Sequence, residues 1–569
     1  MNRIVIIAAA LAIAASCTPH KRRAKKAAPP KVGIIKPDVK VPSKQYTAEA
    51  FFKTTSFGIA RDSDYAWSLD NSSLLVHHDQ TGVFNVYAMS VKNGSMTPLT
   101  SSTKGAAFAT SYFPNDDRIL FSMDGEGDEQ THVFVRELDG TIEDLTPGEK
   151  VKSQFAGWHD NGKTFWVTSN ERTKKYFDVY AYAADGYARE LIFENKDFLV
   201  AGASGDGRWL ALVKTETSAN SDIYVVDLKS QERNPVLITK HEGDIAYDVY
   251  GFTPDNQQLI YATNEYGEFT QAWTYALEGG AKTELLTADW DVQAVTYSKS
   301  GRFFASAVNE DAQTQISIID TTTGKPVELG ELPDGNLARP RFSRDEKQLA
   351  FGLTSDTSPL DLYVSRLGAG AVTRLTSALN PEIDEKDLVT SSIVRYPSYD
   401  GLKIPSVLYK PHQASVSTKV PALVLVHGGP GGQTRRGYRA LVQHLVNHGY
   451  AVLGANNRGS NGYGKTYYHM DDRKHGDVDL KDIVWGHKWL SEQDWVNPDQ
   501  IGIIGGSYGG YMVAAALAFE PEVFQVGIDI FGVTNWERTL QSIPPWWEAF
   551  KKALYDEMGD PETDAERHR

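Results

Sequence analysis

The stretch "IIGGSYGGYM", residues 503–512, decides the fold of the C-terminal part of this chain. Four apolar or small residues predict the end of a buried strand, and the apolar and small residues up to 519 predict a helix directly after it. Between them, Gly505, Ser507 and Gly509 form the pattern Gly-x-Ser-x-Gly, in which the glycines leave room for a sharp turn that carries the serine at its tip. The start of the helix supplies unpaired backbone N–H groups near a developing negative charge. Ser507 is therefore predicted to be a nucleophile.

The sequence around this turn alternates strands with helices from about residue 385 onwards. Residues 436–447 and 477–493 have the pattern of amphipathic helices, and Asp477 is expected to cap the second. Such alternation predicts a parallel sheet covered by helices on both faces, which is an α/β-hydrolase domain over residues 385–569. The predicted strands lie in "SSIVRYPSYDGLKIPSVLYKP" (391–411), "PALVLVHGG" (421–429), "YAVLGANN" (450–457), "QIGIIGG" (500–506) and "QVGIDIFG" (525–532).

Upstream, a weak repeat runs from residue 66 to residue 376. Each unit has a turn rich in Asp, Asn, Gly or Ser, then an alternating strand, and seven units can be counted. The closing positions lie 43 to 48 residues apart, at Thr100, Thr146, Ile192, Thr239, Thr287, Gly330 and Thr376. Short strands at this spacing predict a seven-bladed β-propeller over residues 51–384, with a β-sandwich or a solenoid as the alternatives.

A glycine-rich segment, "HGGPGG" (427–432), follows an earlier strand of the predicted parallel sheet. Because parallel strands bring their ends to the same edge, this segment is expected to lie beside Ser507 and to form the other half of an oxyanion hole. A glycine-rich turn that only ends the strand is the alternative.

Taken together, "LVLVHGGPGG", "NNRGSNGYG", "GDVDLKD" and "IGIIGGSYGGYM", behind a seven-unit β-repeat, resemble the prolyl oligopeptidase family of serine peptidases, closest to its acylaminoacyl-peptidase-like branch. The resemblance implies that Ser507 is the nucleophile, that the backbone N–H groups of Gly429 and Tyr508 form the oxyanion hole, and that the propeller admits oligopeptides. His427 stands where the prolyl-specific and dipeptidyl-peptidase branches have a tyrosine, so strict proline specificity is not expected. No paired-glutamate stretch typical of dipeptidyl peptidases is evident in the propeller.

The remaining members of a catalytic triad are expected after Ser507, in the order acid and then histidine. Only 62 residues follow Ser507, and the only histidine among them is His568, in a polar segment with no strand before it. The acids in this region include Asp529, Asp556, Asp560 and Asp564. The sequence therefore predicts that the triad Asp and His are absent, that the domain is truncated before its last strands with an exposed apolar edge, and that the 569-residue chain is nearly inactive.

The N-terminus predicts export. Residues 1–17 have a positive charge at Arg3, an apolar run and small residues before Cys17, the only cysteine, which is a candidate for lipidation in a bacterial lipoprotein signal. An ordinary signal peptide is the alternative. Residues 18–50 are rich in Lys, Arg, Pro and Ala and are expected to form a tether whose cluster 21–26 attracts anionic lipid. The sequence therefore predicts a protein of the bacterial envelope, either anchored to a membrane or free in the periplasm.

Composition and the remaining clusters exclude other classes of function. The formal charge of −15 argues against nucleic-acid binding, and no nucleotide fingerprint implies a cofactor. The segment "HMDDRKH" brings together His469, Asp471, Asp472 and His475, but its spacing fits a solvated polar loop better than a metal site. Trp546 and Trp547 are candidates for either a substrate pocket or buried packing.

These observations predict a serine peptidase that hydrolyses short peptides through an acyl-enzyme. An esterase that uses the same serine is one alternative. A non-catalytic envelope protein, in which the propeller binds a ligand, is another.

Overall fold

The computed structural model describes residues 42–62 and 64–564. Seven four-stranded sheets lie between residues 57 and 374, and a six-stranded sheet with helices follows between residues 392 and 558. The predicted export signal, Cys17 and the basic cluster lie outside the described residues.

Each of the seven small sheets is one blade of a β-propeller, and its four strands follow one another in chain order with antiparallel pairing. The predicted seven-bladed propeller is thus confirmed. The first strand of each blade is the innermost, whereas the fourth strands carry mostly exposed residues at the rim. The blades are β1–β4 (Phe57–Ile59, Ser73–His78, Asn85–Ser90, Met96–Pro98), β5–β8 (Ala107–Tyr112, Ile119–Met123, His132–Arg136, Ile142–Asp144), β9–β12 (Ser153–Trp158, Thr164–Ser169, Asp178–Ala183, Arg189–Phe193), β13–β16 (Leu199–Ala203, Trp209–Thr217, Asn220–Asp227, Val236–Leu237), β17–β20 (Tyr247–Phe252, Gln258–Thr263, Gln271–Ala276, Lys282–Leu286), β21–β24 (Asp291–Tyr297, Phe303–Glu310, Gln313–Asp320, Lys325–Pro326) and β25–β28 (Asn336–Phe342, Gln348–Thr354, Asp361–Arg366, Ala371–Arg374).

The threonine that closes several repeats has a structural role. In the first blade, Thr100 is buried, its Oγ1 accepts the N–H of Val86 at 2.9 Å, and its hydroxyl donates to the side-chain Oδ1 of Asn85 at 2.8 Å. These bonds tie the segment after the fourth strand to the start of the third. The same arrangement recurs in two more blades, with Thr239 on Asp222 and Thr376 on Asp361.

The ring closes between the seventh and first blades without an exchanged strand. Trp67 Nε1 donates to the backbone oxygen of Arg341 at 3.0 Å, and Arg344 donates to the backbone oxygen of Trp67 at 2.9 Å. Arg344 also donates to the backbone oxygens of Phe113 and Pro114 in the second blade. Arginine side chains bound to backbone oxygens therefore hold the closure.

The C-terminal unit is an α/β-hydrolase sheet in the order β29-β30-β32-β31-β33-β34. The strands β31 to β34 are mutually parallel, and β29 and β30 pair antiparallel across a turn at Asp400-Gly401. The strands are β29 (Ser392–Pro397), β30 (Lys403–Tyr409), β31 (Val420–Val426), β32 (Ala451–Ala455), β33 (Val496–Gly506) and β34 (Gly527–Ile530). The helices are α1 (Ala48–Phe52), α2 (Ala440–Asn447), α3 (Lys465–Tyr468), α4 (Val478–Ser491), α5 (Tyr508–Phe519), α6 (Trp536–Gln541) and α7 (Glu548–Met558), with 3-10 turns at Glu385–Asp387, His469–Asp471 and Pro545–Trp547.

The end of the predicted tether is folded rather than extended. Tyr46 is buried, its hydroxyl donates to Asp387 at 2.8 Å, and its N–H donates to Asn447 at 2.9 Å. Ser43 also donates to Asp387, and α1 begins at Ala48 with Thr47 as its cap. The segment from residue 43 to 52 therefore packs on the surface of the hydrolase domain. These contacts join residues more than 300 positions apart, so no local sequence pattern predicts them.

One propeller carboxylate joins the two domains. Asp356, in the loop between β26 and β27, is 4% exposed, and within the described residues its carboxylate accepts hydrogen bonds from the hydrolase domain alone. Its donors are the N–H and hydroxyl of Ser391, the hydroxyl of Tyr409 and the N–H of Gly437, at 2.7 to 3.0 Å. A buried carboxylate that is satisfied from another domain fixes that domain in place, because separating them would leave all of these groups unpaired.

The last strand, β34, forms an edge of the hydrolase sheet, and large apolar side chains along it are exposed. Val526 is 51%, Ile528 41% and Phe531 81% exposed. The apolar edge expected from the sequence is therefore present in the described residues. None of the helices in these ranges is long and apolar enough to cross a membrane.

Candidate active site

Ser507 lies at the junction of β33 and α5, where the strand next to the edge strand β34 ends. Its backbone has a φ of +57°, a conformation that side-chain-bearing residues rarely adopt and that accompanies functional strain. The flanking glycines are required by close packing, because a Cβ on Gly505 would overlap the backbone of Gly509, and one on Gly509 would overlap the carbonyl oxygen of Val426. The predicted strand, sharp turn and helix are thus present, with Ser507 at the tip.

The glycine-rich segment 427–432 lies beside this serine. A Cβ placed on Gly428 would be 3.4 Å from the Ser507 Cβ and 3.8 Å from its Oγ, so the loop backbone passes next to the hydroxyl. Gly429 has a φ of +136°, and a Cβ there would overlap the backbone of Gly431. Within the described ranges, the N–H groups of Gly429 and Tyr508 have no hydrogen-bond acceptor. Two free donors beside one hydroxyl form an arrangement suited to an oxyanion.

The side chain of Tyr508 is held by a buried carboxylate that the sequence analysis did not single out. The Tyr508 hydroxyl donates to Asp479 Oδ2, while Asp479 Oδ1 accepts the N–H groups of Gly476 at 2.7 Å and Leu480 at 2.8 Å. Burial raises the pKa of Asp479 to about 6 against the effect of these bonds. Asp477 lies at the expected N-cap position of α4, but its side chain makes no capping hydrogen bond and instead pairs with Lys481.

His427 is buried at the start of the glycine-rich segment. Its Nδ1 lies 2.9 Å from the Gly428 oxygen, and its Nε2 lies 2.8 Å from the Ser460 hydroxyl. Burial lowers the pKa of His427 to about 4, which keeps the ring neutral at neutral pH. The ring therefore fixes the shape of the loop, because both of its nitrogens are engaged away from Ser507.

Two side chains of the segment 469–475, which its polarity predicts to be a solvated loop, are buried. Asp471 is 2% exposed, and His475 Nε2 lies 3.6 Å from Asp471 and 3.8 Å from Glu557 of α7. The His475 ring also meets the Tyr508 ring edge-on. Burial, with the charges of neighbouring acids, raises the pKa of Asp471 to about 9 and that of Glu557 to about 7. The Asp471 carboxylate and the His475 ring are therefore buried next to Tyr508 and α7, whereas Arg473 and Lys474 of the same segment are exposed.

The acids after Ser507 are engaged in other contacts. Asp529 accepts the N–H of Gly532 at 2.7 Å, Asp556 pairs with Arg473 at 3.1 Å, and Asp564 accepts the N–H of Asp560 at 3.1 Å. His568 lies outside the described residues. In residues 42–62 and 64–564 no side chain hydrogen-bonds the Ser507 hydroxyl, so these residues bring the candidate nucleophile and the candidate oxyanion donors together without a side chain placed as a general base.

Aromatic side chains border the serine turn. Phe531 packs its ring close to Gly506, and Trp536 lies 6.0 Å from Tyr508 and 5.5 Å from Tyr511 between ring centres. Of the predicted tryptophans, Trp547 is 45% exposed, and Trp546 is half-buried under Lys152 of the propeller. Of the two alternatives, a substrate pocket or buried packing, the exposure of Trp547 excludes buried packing for this residue.

Two family models match the chain. The description "Prolyl oligopeptidase, N-terminal beta-propeller domain" matches residues 99–377, and "Prolyl oligopeptidase family" matches residues 437–568. Together these matches cover both structural units.

Curated relatives cover most of the chain. Dipeptidyl aminopeptidase BIII of Pseudoxanthomonas mexicana is 30% identical over 504 residues, which span 85% of this chain and 72% of the relative. Dipeptidyl peptidase family member 6 of Caenorhabditis elegans is 22% identical over 528 residues, which span 86% of this chain and 71% of the relative. The assignment to the acylaminoacyl-peptidase-like branch, which His427 favours, stays a prediction.

A similar solved structure is that of a puromycin-hydrolyzing peptidase of Mycobacterium tuberculosis, with a TM-score of 0.76 and 16% identity. The superposition covers 91% of this chain and 84% of the other. At this identity the likeness shows the fold.

Proposed function

This chain belongs to the prolyl oligopeptidase family of serine peptidases, and we propose that Ser507 attacks the carbonyl carbon of a peptide bond in a short peptide to form an acyl-enzyme. The observation that carries the proposal is the strained serine turn at +57° with the backbone of segment 427–432 beside its hydroxyl. Holding a strained serine and unpaired donors in place before substrate binds costs free energy of folding. Such features are therefore typical of catalytic sites.

In the attack, the Ser507 oxygen bonds to the carbonyl carbon, and the carbonyl oxygen becomes negatively charged. The N–H groups of Gly429 and Tyr508 donate to that oxygen, and each donor of this kind contributes on the order of 10²-fold or more to the rate. Expulsion of the amine leaves the acyl-enzyme, which water hydrolyses.

The Ser507 proton must pass to a general base during the attack, and then to the departing amine. We propose that no side chain of residues 42–62 and 64–564 serves as this base. A site without a histidine base is expected to react slowly, because loss of the histidine costs on the order of 10⁴-fold in rate.

The propeller restricts the site to small substrates in this proposal. Asn309 of the sixth blade donates to Gln433 at 2.9 Å, directly after the glycine-rich segment. Glu268 of the fifth blade accepts the N–H and hydroxyl of Thr466 at 3.0 and 2.8 Å. Because these contacts cover the loops around Ser507, a folded protein has no room to approach, whereas an oligopeptide does.

A second candidate is a non-catalytic binding protein of the envelope. It is favoured by the Ser507 hydroxyl having no hydrogen-bonded histidine within the described ranges. In either case, export and lipid attachment at Cys17 are proposed from the N-terminal sequence. Replacement Cys17→Ser is expected to move the protein from the detergent phase to the aqueous phase in a detergent partition experiment.

A fluorophosphonate probe followed by peptide mass mapping tests the first candidate. We expect a slow, partial adduct on Ser507 and none in the Ser507→Ala variant. No adduct after prolonged incubation would favour the binding protein. Complete labelling within seconds would contradict the claim that the described chain offers no base.

A further inference from the structure

Two exposed arginines lie on the wall of the propeller channel where the first and seventh blades meet. Arg61 follows β1, and its N–H donates at 3.3 Å to Ala109 in β5, the innermost strand of the second blade. Arg339 lies in β25, the innermost strand of the seventh blade. Both side chains are exposed, and both residues lie on or beside innermost strands, which border the channel, so we place the two arginines at the channel wall.

A third arginine holds their backbones together. The side chain of Arg341, two residues after Arg339, donates to the backbone oxygen of Ala60 at 3.1 Å and to that of Arg61 at 3.0 Å. The backbones at Arg61 and Arg339 are therefore joined through one side chain, that of Arg341.

The backbone at Arg339 is strained. Its φ is +49°, and a β-bulge interrupts the pairing of β25 with β26 between Ala338 and Arg341. A non-glycine residue in this region costs about 1–3 kcal/mol, and bulges redirect side chains. A regular strand would have neither the positive φ nor the bulge. Both occur at the position that carries the exposed Arg339 side chain.

Neither guanidinium has a partner within the part of the chain that the structure describes. The neighbouring arginines Arg341 and Arg344 donate to backbone oxygens. Asp62, next to Arg61, is turned away, since its carboxylate accepts the N–H groups of Asp64 and Tyr65 and the hydroxyl of Ser111. Two unpaired positive charges are therefore displayed together in a protein with a formal charge of −15.

A buried histidine near the pair also lacks a partner. His77 is 7% exposed and packs edge-on against Phe84 and Phe108, and its Nδ1 has no hydrogen-bond partner within the described ranges. Burial and the charges of Arg339 and Arg61 lower the pKa of His77 to about 4, so it adds no charge of its own at neutral pH. The ring is therefore a neutral, enclosed neighbour of the two cations and does not compete with a ligand for them.

We propose that Arg61 and Arg339 form an anion site in the propeller channel that binds a carboxylate of a peptide ligand. The carboxylate is either the C-terminus or an Asp or Glu side chain, since both offer the same planar acceptor to a guanidinium. The peptide nature of the ligand rests on the proposed function, and the site selects among peptides by charge.

Isothermal titration calorimetry on the full chain with Ser507→Ala tests the site without any catalytic step. Three N-acetylated hexapeptides are compared: Ala-Ala-Phe-Ala-Ala-Ala with a free C-terminal carboxylate, its C-terminal amide, and the amide with Glu as fifth residue. We expect the free acid, the Glu peptide or both to bind about tenfold more tightly than the plain amide, with the advantage shrinking as salt rises. The member that gains affinity identifies the source of the carboxylate.

The variants Arg61→Gln and Arg339→Gln are expected to remove the preference for the carboxylate and to leave amide binding unchanged. Arg366→Gln provides the matched control, because Arg366 is an exposed arginine on β27 of the same blade. Equal binding of all three peptides, or a preference that survives both substitutions, would overturn the proposal. Absence of binding by every peptide would also overturn it, while the adduct on Ser507 tests the proposed function separately.

Discussion

The hydroxyl of Tyr508 donates to the carboxylate of Asp479, although both side chains are buried. The bond joins the first residue of α5 to the start of α4, and it lies directly after the candidate nucleophile Ser507. Because the backbone N–H of Tyr508 is one of the two proposed oxyanion donors, the bond fixes the direction of that donor.

Replacing Tyr508 with Phe is expected to lower the free energy of unfolding by about 1–3 kcal/mol, since a buried carboxylate loses a donor. Urea denaturation measures the change. The control Tyr450→Phe removes a hydroxyl from a side chain that is 39% exposed and should change little. Equal effects in the two variants would show that the Tyr508 bond contributes nothing specific.

The buried acids beneath the serine turn predict a pH dependence of stability. The pKa of Glu557 is raised from 4.5 to about 7, chiefly by burial. The folded state therefore binds more protons than the unfolded state between about pH 4.5 and 7, and the free energy of unfolding falls as pH rises through that window. Removing the carboxyl with Glu557→Gln should reduce this fall by up to about 3 kcal/mol.

Urea titrations at several pH values, with the exposed Glu562→Gln as control, measure the fall. A Glu557→Gln variant whose stability falls as steeply as that of the parent chain would be inconsistent with a raised pKa.

Close packing at the serine turn predicts the cost of a single methyl group. The Gly509→Ala substitution places a Cβ against the carbonyl oxygen of Val426, so it is expected to destabilise the hydrolase domain by about 1–3 kcal/mol. The control Gly267→Ala adds a Cβ where nothing lies within 4 Å. Thermal unfolding of both variants decides, and a Gly509→Ala protein as stable as the control would refute the packing argument.

The Asp356 carboxylate predicts coupling between the domains. Its replacement by Ala leaves buried donors of Ser391, Tyr409 and Gly437 without their acceptor. Calorimetry of Asp356→Ala is expected to show two separated transitions in place of coupled unfolding, because each such group costs about 1–3 kcal/mol. Asp334→Ala, at an exposed position before the seventh blade, serves as control. A single unchanged transition in Asp356→Ala would rule out this coupling.

The sequence was sufficient for the elements that depend on local patterns. Seven turn-and-strand units gave the blades, and the apolar runs ending at Val426 and Gly506 gave the central parallel strands. The serine turn was predictable for the same reason, since the glycines on both sides of Ser507 have a steric role that residue types alone express.

Features that depend on distant contacts were not predictable. The sequence of the segment containing Asp471 and His475 is typical of a polar loop. These two side chains are buried by contacts with each other, with Tyr508 and with Glu557 of α7, which are distant in sequence. At the start of α4, the side chain that accepts backbone N–H groups is that of Asp479 and not that of Asp477. Asp479 also accepts the hydroxyl of Tyr508, a contact that the local sequence does not predict. The contact of Tyr46 with Asp387 crosses 341 residues, and no periodicity reports it.

The central claim is that Ser507 and its oxyanion donors are preformed while the general base is not among the described residues. Fluorophosphonate labelling rates with and without added imidazole test it most directly, because imidazole can accept the serine proton in solution. We expect labelling of Ser507 to accelerate by at least about tenfold, well below the 10²–10⁴-fold of a positioned base. The acceleration should persist in His568→Ala and be absent in Ser507→Ala. Fast labelling without imidazole that is lost in His568→Ala would contradict the account.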